Sequence, residues 1–100
     1  MKRDTYAMSK VPKIRCQVLD CHGSDLHRHH IVNRSISQCD DPENIVVLCG
    51  EHHRQVHKHE LDLGPILTPS QSAKAVLLMG TVHRAHQWLY PSANPRRVAA

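Results

Sequence analysis

Arg28-His29-His30-Ile31-Val32, then Asn44, then His53-x-x-x-His57 are the residues best equipped for chemistry. Neutral imidazoles are good ligands for divalent transition metals. Residues four apart share one face of a helix, so a helix carrying His53 and His57 delivers two ligands from one side. His29 is placed to supply a third. Adjacent residues on a strand point to opposite sides, so His29 and His30 should diverge. That leaves His30 as a general base, its unperturbed pKa of about 6.5 lying close to operating pH. Asn44 can hydrogen-bond backbone across the loop that it closes and hold the base in position. One bound cation beside one base meets the needs of phosphodiester hydrolysis: a nucleophilic water, stabilised phosphoryl charge and help for the departing oxygen. The competing reading is a generic metal cluster, or histidines that merely decorate a basic surface.

A second set is softer. Cys16-x4-Cys21 closes a short loop, and Cys49-x2-His52 provides a further pair at a spacing familiar from structural zinc sites. The alternatives are a disulfide or small buried thiols, with His22 the rival to His52 as fourth ligand. Cys39, in a polar loop with no partner spacing, reads as a free thiol. The two sets interleave at Cys49-Gly50-Glu51-His52-His53, so one junction serves both.

The elements that must position these residues follow from pattern. Leu26 to Val32 is short, ends in β-branched residues and is bounded by turn formers, which predicts a strand. Asn33 to Pro42 is a polar loop. Ile45-Val46-Val47-Leu48 is a continuous apolar run and the clearest strand, and the two strands pair most simply as an antiparallel ribbon. Glu51 to about Leu61 predicts a helix with acidic charge in its first turn, and His59 falls off the ligand face toward solvent. Beyond Leu63-Gly64-Pro65 a separate helical extension begins. Thr68-Pro69-Ser70-Gln71 is a capping box with Pro at the first helical position, and Ala73, Val76, Leu77 and Leu78 provide an apolar stripe. Gly80-Thr81 is a helix stop and a new N-cap, leading to a second short helix that ends near Tyr90, with Val82, Ala85, Trp88 and Leu89 inward. The domains are thus a basic arm (1–14), a metal-bearing core (15–63), the extension (64–90) and a tail (91–100) with Arg96 and Arg97 expected to be disordered.

The totals agree. Three aromatics and no Phe in 100 residues give little bulky core material, so a metal staple is expected. No apolar run approaches a membrane span and no signal-peptide core follows Lys2 and Arg3, which points to a reducing, cytoplasmic setting without a membrane partner. There, closely spaced Cys and His favour zinc over disulfides. A formal charge of +4 suits an anionic partner.

From Cys16 to His57 the chain resembles the HNH endonuclease family, which has the ββα-metal fold. The matching residues are His29-His30-Ile31-Val32 with Arg34-Ser35, Asp41-Pro42-Glu43-Asn44-Ile45-Val46-Val47-Leu48-Cys49, and His52-His53-x3-His57. Where the family usually has Cys-x2-Cys-His, this chain has Cys49-Gly-Glu-His52-His53, so His52 replaces a zinc cysteine. The resemblance implies His30 as general base, Asn44 as the orienting asparagine, and His29, His53 and His57 as ligands to a catalytic Mg²⁺, Mn²⁺, Ni²⁺ or Zn²⁺. It also implies metal-dependent nicking or double-strand cleavage of DNA, a bacterial or phage-infected cell and, by analogy with small phage members, a packaging terminase as partner.

The expectation is therefore an α+β protein, a zinc-stapled ββα-metal core with a C-terminal helical extension, acting as an endonuclease and existing as a monomer or weak dimer. Structural zinc would sit on Cys16, Cys21, Cys49 and His52. Arg28, Arg34, Arg54, Lys58 and Arg84 are the expected DNA contacts. The rivals are a non-catalytic zinc module that binds DNA, and an RNA-cutting or toxin-like nuclease.

Overall fold

The apolar run that begins at Ile45 forms the inner strand of the molecule, and all five of its residues are buried. The structure, a computed structural model, describes residues 11–93; most of the basic arm and the Arg96-Arg97 segment lie outside these residues. Strand β1 (Leu26–His30) pairs antiparallel with β2 (Ile45–Cys49), His29 opposite Val46 and His27 opposite Leu48. Opposed residues share a face, so the register sets two histidines beside two core residues. Helix α1 (Gly50–His57) follows β2 directly, with Cys49 as its N-cap.

Ile31 and Val32, expected to continue the first strand, lie just beyond it. They are fully buried, and the Ile31 N–H still donates to the Asn44 carbonyl at 2.8 Å. Helix α1 also stops before Leu61. His59 adopts a left-handed backbone (φ 59°), its N–H donates to the Val56 carbonyl, and the Glu60 N–H reaches the Gln55 carbonyl. These are the paired bonds of a Schellman cap, with histidine in the place usually taken by glycine.

The extension completes the core. Helix α2 (Pro69–Met79) opens on the expected capping box, Thr68 Oγ1 accepting the Gln71 N–H while Gln71 Oε1 accepts the Thr68 N–H. It ends at Gly80, whose φ of 95° suits a residue without Cβ. Helix α3 (Val82–Leu89) is capped by Thr81. Ala75 and Met79 of α2 and Ala85 and Leu89 of α3 are buried in one cluster with Ile31, Val32, Val46 and Leu48.

Val76 and Leu78 of the predicted stripe pack against this cluster, but three residues expected to face inward do not. Ala73 is exposed, and Leu77 and Val82 are 72% and 70% exposed, while Ala75 and Met79 turn inward. Gln71 sets this rotation. Its amide nitrogen donates to the Ile45 carbonyl at 3.1 Å and to Gln17 Oε1, so the residues one and two turns later, Ala75 and Met79, face the same way. Trp88 Nε1 donates to the Ile31 carbonyl at 2.6 Å, which fastens α3 to the end of β1. Pro91–Ala93 form a 3₁₀ turn held by Asp62 through the Ser92 N–H. Among the described residues no helix is long and apolar enough to cross a membrane.

Candidate metal centres and cleft

The strand-to-helix junction gathers two sets of ligand atoms. In the first, Cys16, Cys21, Cys49 and His52 bring one sulfur or nitrogen each to within 4.8 Å of one another. Cys21 Sγ lies 3.7 Å from Cys49 Sγ, and His52 Nδ1 lies 3.2 Å from Cys49 Sγ and 3.5 Å from Cys16 Sγ. No disulfide has these separations. A tetrahedral ion with metal–sulfur bonds of about 2.3 Å sets its sulfurs about 3.8 Å apart, so the group fits such an ion. His22 is exposed, and both it and the half-buried Cys39 lie outside the group.

Local backbone tunes the thiols. The His52 N–H at the start of α1 draws the Cys49 thiol below its ordinary value, as helix N-termini do. Cys21 has the Gly23 N–H pulling it down, but burial and the thiols of Cys16 and Cys49 prevail and push it up. Gly23 is required by contact: a Cβ there would stand 2.6 Å from Cys49 Cβ.

In the second set, His29 from β1 meets His53 and His57 from α1, their ligand nitrogens again within 4.8 Å. His53 Nε2 and His57 Nε2 are 3.1 Å apart. Two nitrogens each about 2.1 Å from a shared ion at roughly right angles have about that separation. Burial, followed by the neighbouring His53, His57 and His30, holds His29 down to about 3, and burial with His57 and His27 lowers His53 as well. Both are therefore neutral and ready to coordinate at physiological pH. His27, absent from the predicted site, packs on His53 with ring centroids 5.1 Å apart and places Nε2 3.1 Å from Asp25 Oδ2. Its signal was available in the sequence, because His27 and His29 are two apart on a strand and so share a face.

His30 takes the other direction. It is not in the triad; its Nε2 lies 2.7 Å from Asp40 Oδ1. Asp40 is 8% exposed and also receives Arg34 Nη1 on both oxygens, at 2.8 and 2.9 Å. Asn44, fully buried, clasps the loop. Oδ1 accepts the Val32 N–H at 2.8 Å, and Nδ2 donates to the carbonyls of Val32 and Cys39. Asp40 falls within the predicted polar loop, and nothing in its spacing announces a histidine ten residues earlier.

A cleft of about 450 Å³ joins these parts. His29, His53 and His57 line it together with His30, Arg28, Asn33 and Arg34. Val56, Leu61, Leu63, Trp88 and Pro91 form an apolar wall. Of the residues expected to contact DNA, Arg28 and Arg34 line this cleft, though Arg34 is turned to Asp40 and Arg28 Nε donates to the Val11 carbonyl. Arg54 pairs with Glu51 along α1, Lys58 is exposed at its C-cap, and Arg84 is exposed on α3 away from the cleft. Compared with protein-family models, with characterised proteins and with solved structures, the chain matches none.

Proposed function

We propose that this protein is a metal-dependent endonuclease of the HNH type that hydrolyses phosphodiester bonds in DNA. One observation carries the reading: a histidine triad able to hold an ion and a separate histidine outside that triad open into one cleft large enough for a phosphate. A generic histidine cluster would draw His30 in with its neighbours. Here β1 sends His29 and His30 to opposite sides, one to α1 and one to Asp40.

His29, His53 and His57 would hold a divalent ion, which when bound supplies positive charge for the phosphoryl oxygens and the departing oxygen. His30 accepts a proton from water; the water oxygen forms the new bond to phosphorus, the opposite ester bond breaks, and the departing oxygen is protonated by solvent. Asn44 keeps the loop beside His30 in one conformation. Arg28 would meet phosphate in the cleft, with Lys58 and Arg84 as outlying contacts. Structural zinc on Cys16, Cys21, Cys49 and His52 would hold the β2–α1 junction, and a donor set of three thiolates and one imidazole suits that ion. A place in phage genome packaging beside a terminase is part of the same proposal.

Plasmid nicking in Mg²⁺, Mn²⁺, Ni²⁺ or Zn²⁺ tests the reading. Cleavage by the wild-type chain, lost in His30→Ala with fold and metal content retained, is the expected result. Binding to DNA without cutting in any of these metals would leave a non-catalytic zinc module, and cleavage of RNA alone would move the substrate.

A further inference from the structure

We propose that Asp40 is the positioning residue for His30, fixing the ring proton on Nε2 so that Nδ1 alone keeps a lone pair, with Arg34 as the clamp on Asp40. This rests on the nuclease reading of the cleft. An ionised carboxylate only accepts hydrogen bonds, so at 2.7 Å from Asp40 Oδ1 the Nε2 atom of His30 must carry the hydrogen. A neutral imidazole then has one acceptor nitrogen left, Nδ1, and His30 lines the cleft.

The surroundings hold this arrangement firmly. The Asp40 side chain is 7% exposed and that of His30 11%, which leaves water little opportunity to replace either partner. A buried carboxylate needs a compensating cation, and Arg34 supplies one through a bridge to both oxygens, which also fixes the plane of the carboxylate. Arg34 thus belongs to the base's support and is not a free phosphate contact. The residue before Asp40 is pinned in turn, because Asn44 Nδ2 donates to the Cys39 carbonyl at 2.8 Å. Asn44 therefore acts on His30 at one remove: asparagine fixes Cys39, Cys39 carries Asp40, and Asp40 fixes the imidazole.

Asp40→Asn preserves shape and tests the idea. Its amide nitrogen can donate to Nε2, which permits the opposite tautomer. The ¹⁵N spectrum of the labelled, zinc-loaded full-length chain at mildly alkaline pH reports which His30 nitrogen is protonated, and plasmid nicking by the same proteins reports turnover. The wild type is expected to show a protonated Nε2 and an unprotonated Nδ1. Asp40→Asn is expected to mix the tautomers and lower kcat about 10²-fold or more, with KM and metal content unchanged. A wild-type spectrum with the proton on Nδ1 overturns the proposal even if Asp40→Asn fails to fold. Wild-type turnover in Asp40→Asn overturns it too, while loss of nicking in His30→Ala keeps the nuclease reading standing. A wild-type chain that nicks in none of the metals removes both.

Discussion

Asn44 and Val32 grip each other through both ends of one carboxamide, Oδ1 accepting the Val32 N–H at 2.8 Å and Nδ2 donating to the Val32 carbonyl at 3.2 Å. The pair closes the loop between the two strands from inside a fully buried site. Replacing Asn44 with Ala strands the Val32 N–H and the Cys39 carbonyl without water. At about 1–3 kcal/mol for each of these two buried groups left unsatisfied, the loss of stability should be about 2–6 kcal/mol by urea unfolding. Zinc content should be unchanged, because no ligand sits in that loop. A loss below about 0.5 kcal/mol would mean that water reaches the site.

The thiol set makes a sharper demand. Metal binding to such a site is folding free energy, roughly 10–16 kcal/mol in small zinc peptides. Cys49→Ser should therefore abolish both tightly held zinc and the cooperative thermal transition, and a strong chelator should do the same to the wild type. Cys39→Ser should change neither, since Cys39 lies outside the group. A Cys49→Ser chain that melts like the wild type while holding no zinc rejects the staple.

Acid should weaken the fold through His29. Its imidazole is held down to about 3 by burial and by His53, His57 and His30, against 6.5 when free. Below 6.5 the unfolded chain binds a proton that the folded chain refuses, so this residue's contribution is whole above pH 6.5 and fades as pH falls toward 3. The slope for one proton is at most about 1.4 kcal/mol per pH unit. Acid also strips zinc from thiolates, so the informative quantity is the difference in unfolding free energy between wild type and His29→Gln. That difference should change steadily across the window in the absence of added metal, and a flat difference would show that His29 is not shielded.

What the sequence disclosed and what it hid have a common physical cause. Ile45-Val46-Val47-Leu48, the Cys and His spacings and the Thr68–Gln71 capping box are local patterns, and each appears where expected. Asp40 became visible only through the path of the loop, which brings it to His30 across ten positions. The rotation of α2 was hidden for a similar reason. Local apolar spacing favoured Ala73 and Leu77, but the face was decided by Gln71 reaching Gln17 and Ile45, contacts far away in sequence. The end of α1 depended on a histidine taking a left-handed backbone, which residue type alone does not announce.

Among the bonds that fasten the extension to the core, the one from Trp88 can be cut cleanly. Trp88 Nε1 donates to the carbonyl of Ile31, the residue after His30, and Trp88 also lines the cleft. Trp88→Phe keeps most of the apolar surface and deletes the donor, leaving a buried carbonyl short of a partner, so stability should fall by about 1–3 kcal/mol. Truncation before Thr68 is a different injury. It uncovers Ile31, Val32, Val46 and Leu48, now shielded by Ala75, Met79, Ala85 and Leu89 in one cluster. At about 25 cal/mol per Å² of apolar surface, a few hundred Å² amounts to several kcal/mol, comparable with the whole stability of a small domain. The truncated chain should therefore lose its cooperative transition even with zinc present, while Trp88→Phe retains it at a lower midpoint. A truncated chain that melts cooperatively with zinc bound would show that the ribbon, α1 and the metal suffice without the extension.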